Sequence, residues 1–342
     1  MGIEERSSGS SISPDVEKDK LLLQVARRVE LGFEFGEFFF LDFRTGEVSD
    51  CPYVLFADKG WNSMVAVGSV IYVVGIWERD KTRWCNIEPP NSVTNNKKGI
   101  YHKGMSFLDL SQGDDGERGW KEAPYVSYRL PYIPAVVAFG GKIYLFQCGD
   151  KSEAAEVFDP ISNKWEKLLP PPQVGFFDIY KDRCGVVDDE NKRILIPFHS
   201  IKSVFAYYPS NNRWELVLES FSWPSVLVFA QGMILFYLPQ IPKMFGAYHV
   251  ATKQWLNVVL TSEVPDDVWR CEFDAMLYLG NGILCLATYS IDFDKVRTTY
   301  VYIAKFKFER ASDSPGDLLV MPLPPQTYTL PTRCFGVKYF LV

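Results

Sequence analysis

Short apolar runs separated by polar turn clusters make up most of the chain. A clear example is the pair of runs 133–139 and 141–146, which meet at Gly140 and Gly141. Runs of this kind, rich in Val, Ile, Tyr and Phe and bounded by turn residues, are typical of β-strands. Helical periodicity is scarce. The pattern therefore predicts an all-β protein built from hairpins.

A longer unit repeats along the chain. In the segment 157–165 an apolar run ends in Asp-Pro, a polar turn follows and a Trp closes the unit, and 206–214 and 247–255 have the same shape. An earlier copy, 107–120, carries a longer acidic turn. The Trp residues at 120, 165, 214 and 255 lie 45, 49 and 41 positions apart. Regular spacing of this kind predicts a repeat fold, with the repeated Trp side chains packed between neighbouring repeats.

A second apolar hairpin precedes each Trp unit, and its second strand usually follows a Gly. Each period therefore contains four antiparallel strands, here named a, b, c and d in chain order, which is the content of one propeller blade. The strand b segments are 68–75, 141–146, 192–196, 232–236 and 282–286.

The two ends of the chain are predicted to complete the ring. Residues 269–323 read as a blade without its Trp, and 41–48 has the shape of a c–d hairpin with Val48 at the Trp position. An open sheet would leave two exposed edges. We therefore expect Cys334–Val342 to pair with N-terminal strands in a sixth, composite blade, with the division of strands between the termini left open.

The turn glycine before Lys-Ile-Tyr, the Phe-Asp-Pro element and the spaced Trp resemble the motif of kelch-repeat proteins, whose period is about 50 residues. The resemblance is closest to plant F-box/kelch proteins. The four Trp-anchored repeats, the blade 269–323 and the composite blade together predict a six-bladed β-propeller of kelch type. The expected organisation is a poorly ordered tail, 1–25, and a single propeller, 26–342. So few residues precede the first predicted strand that we expect no F-box.

Bulk composition narrows the choice of partners. The net charge of −6 argues against nucleic acid, because a domain that binds phosphate backbones usually has a basic face. No apolar run approaches the roughly 18 residues that span a bilayer. The seven cysteines include no CxxC pair, so we expect buried reduced thiols rather than disulfides or zinc. A cytoplasmic or nuclear protein without cofactor or metal is the expectation.

Motifs for chemistry are sparse. His102, His199 and His249 form no HxH or HExxH pattern, and none has the carboxylates that kelch-type specifier proteins are thought to use for iron. We interpret His249 as a structural residue of strand c. The acidic stretches 114–115 and 188–190 are interpreted as solvated hairpin tips.

One face of the predicted disc is rich in aromatic and arginine residues. Strand directions alternate within a blade, so the d–a and b–c connections share a face, and the longest insertion, 77–103, lies there. Trp, Tyr and Arg dominate binding hot spots. We predict a partner-binding face, although some of these aromatics could instead fill the central channel. The predicted residues are Trp77, Arg83, Trp84, Tyr101, Tyr128, Arg129, Phe177, Trp223, Trp269 and Arg270.

Two functions follow from this face. The first is a kelch-type interaction module that binds a protein partner; the resemblance implies target recognition for ubiquitin ligases, as an adaptor or a decoy. The alternative is a lyase, isomerase or cyclase of plant specialised metabolism, with a small molecule in the axial pocket. An enzyme needs titratable groups that converge on a pocket. Candidates are Asp178, Arg270, Glu272 and Asp274.

Overall fold

The computed structural model describes the chain as strands joined by turns, with no helix in the described part. No helix in that part is therefore long and apolar enough to cross a membrane. The described residues are 20–28, 34–55, 62–79, 100–111, 121–124, 134–147, 154–172, 185–198, 201–219, 226–238, 244–263, 275–292, 298–314, 316–330 and 336–341.

The strands pair antiparallel in six sets of four, called blades below. Blade 1 contains β4 (Asn62–Val67), β5 (Val70–Arg79), β6 (Ile100–Asp109) and β7 (Lys121–Ala123). Blade 2 contains β8 (Ala135–Phe139), β9 (Lys142–Gln147), β10 (Ala154–Asp159) and β11 (Lys164–Lys167). Blade 3 contains β12 (Val186–Asp188), β13 (Arg193–Phe198), β14 (Ser203–Tyr208) and β15 (Arg213–Leu218).

Blades 4 and 5 follow the same order. Blade 4 contains β16 (Val226–Ala230), β17 (Met233–Leu238), β18 (Met244–His249) and β19 (Gln254–Leu260). Blade 5 contains β20 (Ala275–Gly280), β21 (Ile283–Asp292), β22 (Thr298–Arg310) and β23 (Asp317–Pro322), and β24 (Gln326–Leu330) also pairs with β22. The closing blade contains β25 (Gly336–Leu341), β1 (Lys20–Arg28), β2 (Glu34–Asp42) and β3 (Val48–Leu55).

The first strands of the blades form a closed ring. Neighbouring contacts run from β25 to β4, β8, β12, β16 and β20, and from β20 back to β25. The predicted pairing of the two termini is confirmed, because β1 pairs antiparallel with β25 and Leu22 lies opposite Phe340. The C-terminus supplies strand a of this blade and the N-terminus supplies strands b, c and d. These observations define an all-β propeller.

The N-terminal boundary differs from the expected one. Strand β1 begins at Lys20, whereas the predicted tail extends to residue 25. Leu21, Leu22 and Leu23 are fully buried, because β1 lies between β25 and β2 and the neighbouring blades cover both of its faces. The apolar residues of β1 directly follow a long polar stretch, so the sequence pattern assigned the start of this strand to the tail.

Turn residues explain why the hairpins form where they do. The a–b turns at Gly140-Gly141 and Asn281-Gly282 have positive φ at both positions, as two-residue hairpins with right-handed twist require. The c–d turns use the last residue of strand c as a cap: Asp42 and Asp159 each accept hydrogen bonds from two backbone N–H groups of the turn. His249 holds the same place in blade 4, with Nδ1 2.7 Å from Thr252 Oγ1. Its predicted structural role agrees with this geometry.

The repeated Trp side chains join adjacent blades. The indole N–H of Trp165 in blade 2 donates to the Pro124 carbonyl at the end of β7, at 2.8 Å. In blade 3, the ring of Trp214 lies 5.1 Å from the Phe146 ring of blade 2. The predicted packing between blades is confirmed for these two residues. Trp255 differs, because its indole donates to none of the described residues, and Trp120 lies outside the described residues.

Blades 4 and 5 share one continuous sheet. The second half of β19 leaves blade 4 and pairs in parallel with β23, with Asn257 opposite Asp317 and Leu260 opposite Val320. Leu256, Val258 and Leu260 from β19 pack in one core with residues of both blades. The two outer strands therefore close this inter-blade core at the rim.

Candidate functional site

The two faces of the propeller are built differently. On the face of the a–b and c–d turns most connections are short and several are held by their own hydrogen bonds. The exception is the c–d connection of blade 1, residues 110–120. On the opposite face the strand ends open into the b–c and d–a connections, most of which lie outside the described residues. We name this second side the loop face. Functional residues are frequently found on such loops, which a rigid scaffold positions.

The d–a connection between blades 2 and 3 begins at Leu169, whose backbone N–H and carbonyl are both hydrogen-bonded to blade 3. After β11, the Leu169 N–H donates to Asn212 Oδ1 at 2.8 Å, and the Leu169 carbonyl accepts from Trp214 Nε1 at 3.1 Å. Asn212 Oδ1 also accepts the Tyr207 hydroxyl at 2.8 Å. Burial of Tyr207 raises the pKa of its hydroxyl, which therefore stays a hydrogen-bond donor at neutral pH. The connection towards blade 3 thus leaves from a fixed point.

A similar contact fixes blades 1 and 2 at their inner strands. The buried Ser63 hydroxyl in β4 donates to the Pro134 carbonyl, which precedes β8, at 3.0 Å. Pro134 marks the end of the d–a connection from blade 1, so the position where strand a begins is held by a hydrogen bond between blades. Such anchors give loops on the loop face defined origins.

The structure places two of the ten predicted binding residues. Trp77 lies in β5 opposite His102, and Tyr101 lies in β6 opposite Glu78. The expected loop 77–103 is therefore too long at both ends, since pairing continues to Arg79 and resumes at Ile100. The remaining predicted binders lie outside the described residues: Arg83, Trp84, Tyr128, Arg129, Phe177, Trp223, Trp269 and Arg270.

The catalytic candidates Asp178, Arg270, Glu272 and Asp274 also lie outside the part of the chain that the structure describes. Within that part, no three His, Cys, Asp or Glu side chains come together as metal ligands do. Cys285 is buried and unbridged, and burial raises the pKa of its thiol to about 12. This agrees with the expected reduced thiols, and the other six cysteine side chains fall outside the described set.

On the face of the a–b and c–d turns, charged side chains form ion pairs that stabilise the turns. Lys142 Nζ lies 3.2 Å from Asp159 Oδ2, and this hydrogen bond, together with the turn N–H groups, lowers the pKa of the Asp159 carboxyl. Asp188 was expected at a solvated tip, but it is fully buried and its Oδ2 accepts from Arg193 Nε at 2.7 Å. A buried carboxylate requires such pairing. The prediction of solvated acidic residues holds for Asp189 and Glu190, which are exposed.

Comparison with known proteins adds one informative similarity. No family model matches the chain. It is 26% identical over 215 residues to an F-box/kelch-repeat protein of Arabidopsis thaliana, a match that covers 60% of this chain and 45% of that protein. The chain thus spans a little less than half the length of this relative. The solved structure of YjhT aligns with 91% of this chain and 99% of its own, at 9% identity and a TM-score of 0.47.

The repeat, the strand pairing and the Arabidopsis relative point to the same class. The resemblance predicted from the Phe-Asp-Pro element and the spaced Trp is confirmed by similarity to a kelch-repeat protein. The ring of four-stranded blades supplies the architecture that such repeats form. The molecule is a β-propeller whose repeat is similar to that of kelch-repeat proteins.

Proposed function

We propose that this propeller is a protein-interaction module that binds its partner on the loop face. The observation that carries the proposal is the difference between the two faces. One face consists mostly of short turns, such as those at Asp42 and Asp159, that are closed by their own hydrogen bonds. Of the ten aromatic and arginine residues singled out from the sequence, Trp77 and Tyr101 lie near the ends of β5 and β6 on the other side. The other eight fall, by sequence position, in the b–c and d–a connections.

The physical case rests on residue type and on anchoring. Trp, Tyr and Arg contribute large, well-ordered contact areas and dominate binding energy at protein interfaces. The hydrogen bond from Ser63 to the Pro134 carbonyl supports the proposal, because a connection with a fixed end loses less conformational entropy when it binds. The curated relative is a kelch-repeat protein, a type of repeat that fits this use of the loop face.

The finer proposal is target recognition for ubiquitin ligases in the cytoplasm or nucleus. The support is the description of the Arabidopsis relative as an F-box/kelch-repeat protein. An adaptor would hold its target and ligase subunits together. A decoy would hold the target without the ligase.

The test is affinity capture with chemical cross-linking, followed by mass spectrometry. The wild-type chain is compared with a Trp84→Ala/Trp269→Ala variant and with Ile161→Ala, a control on the opposite face whose side chain is 97% exposed. We expect the double variant to lose proteins that the control retains. Equal capture by all three chains would contradict binding on the loop face. Ligase subunits in the captured set would indicate an adaptor.

A further inference from the structure

The outer rim where blades 4 and 5 join carries an exposed apolar patch. Along β19, Leu256, Val258 and Leu260 point into the core, so the alternate residues Trp255 and Val259 point outwards. Parallel pairing places Leu319 beside Val259, and Met321 follows on β23. Trp255, Val259 and Met321 are 49%, 37% and 42% exposed, and Leu319 is half-buried. We name these four residues the rim patch.

Trp255 does not perform the task of its repeat equivalents. Trp165 and Trp214 donate their indole N–H groups to carbonyls of the preceding blade. Among the residues that the structure describes, none accepts a hydrogen bond from Trp255. Its ring stands edge-on to Phe236 and Tyr248, at 5.4 and 5.3 Å, much as Trp214 packs on Tyr207. A large aromatic side chain held on other rings and open to solvent is a typical anchor for binding.

The charges around the patch are balanced. Glu309 lies opposite Leu319 and Lys307 lies opposite Met321 on β22, and Lys307 Nζ is 3.6 Å from Glu309 Oε2. The Asn257 amide donates to Asp317 at 3.0 Å, and this bond, followed by one from Ser314, lowers the pKa of the Asp317 carboxyl. A surface for a strongly charged partner would present an excess of one sign. This patch presents a cation and an anion side by side.

We propose that the rim patch is an interface for a second copy of this chain. In a two-fold dimer the same surface meets itself, so it must be self-complementary. The adjacent Lys307 and Glu309 satisfy this requirement, because a two-fold mate can place its Glu309 beside Lys307 and its Lys307 beside Glu309. The apolar residues then bury one another at the centre. The patch lies on the outer strands, so both loop faces stay open for partners.

Sedimentation velocity of the full chain tests the interface. The wild type is expected to shift from one chain towards two as its concentration rises through about 1–100 μM, the range of small interfaces. Trp255→Ser and Val259→Arg are expected to abolish the shift, and Val259→Arg also covers the case in which loss of Trp255 impairs folding. The matched control Ile161→Arg changes an equally apolar exposed site in blade 2 and is expected to dimerise as the wild type does.

Exchanging the charges of Lys307 and Glu309 distinguishes loss of a dimer contact from a change in the fold of the single chain. Lys307→Glu and Glu309→Lys are each expected to weaken self-association, since the two-fold contact then joins like charges. An equimolar mixture of the two variants is expected to restore a dimer of one chain of each. A wild type that stays single at 100 μM, or a dimer that survives Val259→Arg, overturns the proposal. The proposal is also overturned if the wild type is monomeric and the Trp255→Ser variant no longer captures proteins that the wild type binds. The rim patch would then be the binding site of a different protein.

Discussion

The Trp214 indole N–H donates to the Leu169 carbonyl at 3.1 Å, across the boundary between blades 3 and 2. The two residues are 45 positions apart, about one repeat. Trp165 makes the same bond to Pro124 one blade earlier. The repeated Trp thus links each of these blades to its predecessor, which explains physically why the spacing of Trp in the sequence follows the blade period.

Replacing Trp165 tests this link. Trp165→Ala is expected to lower the free energy of unfolding by about 3–5 kcal/mol, because a large aromatic is lost from a packed boundary. Trp165→Phe keeps most of the ring and loses the hydrogen bond, so we expect a cost of about 1 kcal/mol. Denaturant unfolding measures both.

Trp255→Ala is the matched comparison. Since 49% of that side chain is already exposed and its indole makes no hydrogen bond to a described residue, we expect roughly half the cost of Trp165→Ala. A loss of stability below about 1 kcal/mol for Trp165→Ala would show that the residue is not part of the core.

Asn212 offers a second test of the boundary between blades 2 and 3. Its Oδ1 accepts from Leu169 and Tyr207, and its backbone has a φ of 50°. Asn212→Gly keeps the left-handed backbone and leaves the buried donor of Tyr207 without this acceptor, so we expect a loss of about 1–3 kcal/mol. Asn163 occupies the same turn position in blade 2, with a φ of 55°, and Asn163→Gly is expected to be nearly neutral. Equal effects in urea unfolding would exclude the proposed role of the side chain.

Cys285 makes folding stability depend on pH. Burial raises the pKa of its thiol from 9.0 to about 12. The unfolded chain therefore loses this proton first, so the contribution is complete below pH 9 and declines as the pH rises towards 12. At pH 10 the expected decline is about 1–1.5 kcal/mol. The measurement is the difference in unfolding free energy between the wild type and Cys285→Ala at pH 7.5 and pH 10.

Burial, followed by the neighbouring Cys285, raises the pKa of Tyr328 to about 12. At pH 10 both groups are still protonated in the folded chain, so burial dominates the contribution of Tyr328 in the wild type and in Cys285→Ala alike. The wild type is expected to lose more stability than Cys285→Ala between the two pH values. Parallel losses in the two chains would show that the Cys285 thiol titrates in the folded state as it does in the unfolded state.

Local motifs predicted much of this fold. The Asp at the end of strand c marks its turn because its side chain caps that turn, and an apolar C-terminal strand needs a partner, which β1 supplies. The pairing of Asn257 with Asp317 could not be predicted, since they lie 60 positions apart and nothing local specifies a parallel register. For the same reason the exposure of Trp255 could not be predicted, because its motif has the same shape as that of Trp214.

Less of the candidate site than of the fold could be predicted from the sequence. Composition predicts the loop face as the binding side, because turn residues on the other side are mostly small and polar. Only Trp77 and Tyr101 of the predicted binders lie within the described residues, and both belong to strands. The sequence could not set the end of β5, since the apolar pattern there runs into a polar insertion without a Gly or Pro signal.

Removal of the closing strand tests the ring as a whole. Deleting Cys334–Val342 removes β25, which supplies strand a of the closing blade and contacts both β4 and β20. It would expose the edge of β1 and the buried residues Leu21, Leu22 and Leu23. We therefore expect a chain that does not unfold cooperatively and that aggregates, because an uncovered apolar edge strand favours association.

The matched control deletes Met1–Asp19, which leaves β1 intact, and is expected to preserve the cooperative transition. Circular dichroism melting and light scattering measure both chains. A soluble truncation without Cys334–Val342 whose melting curve equals that of the full chain would be incompatible with closure through β1 and β25. The two deletions together distinguish the closing strands from the residues that only precede them.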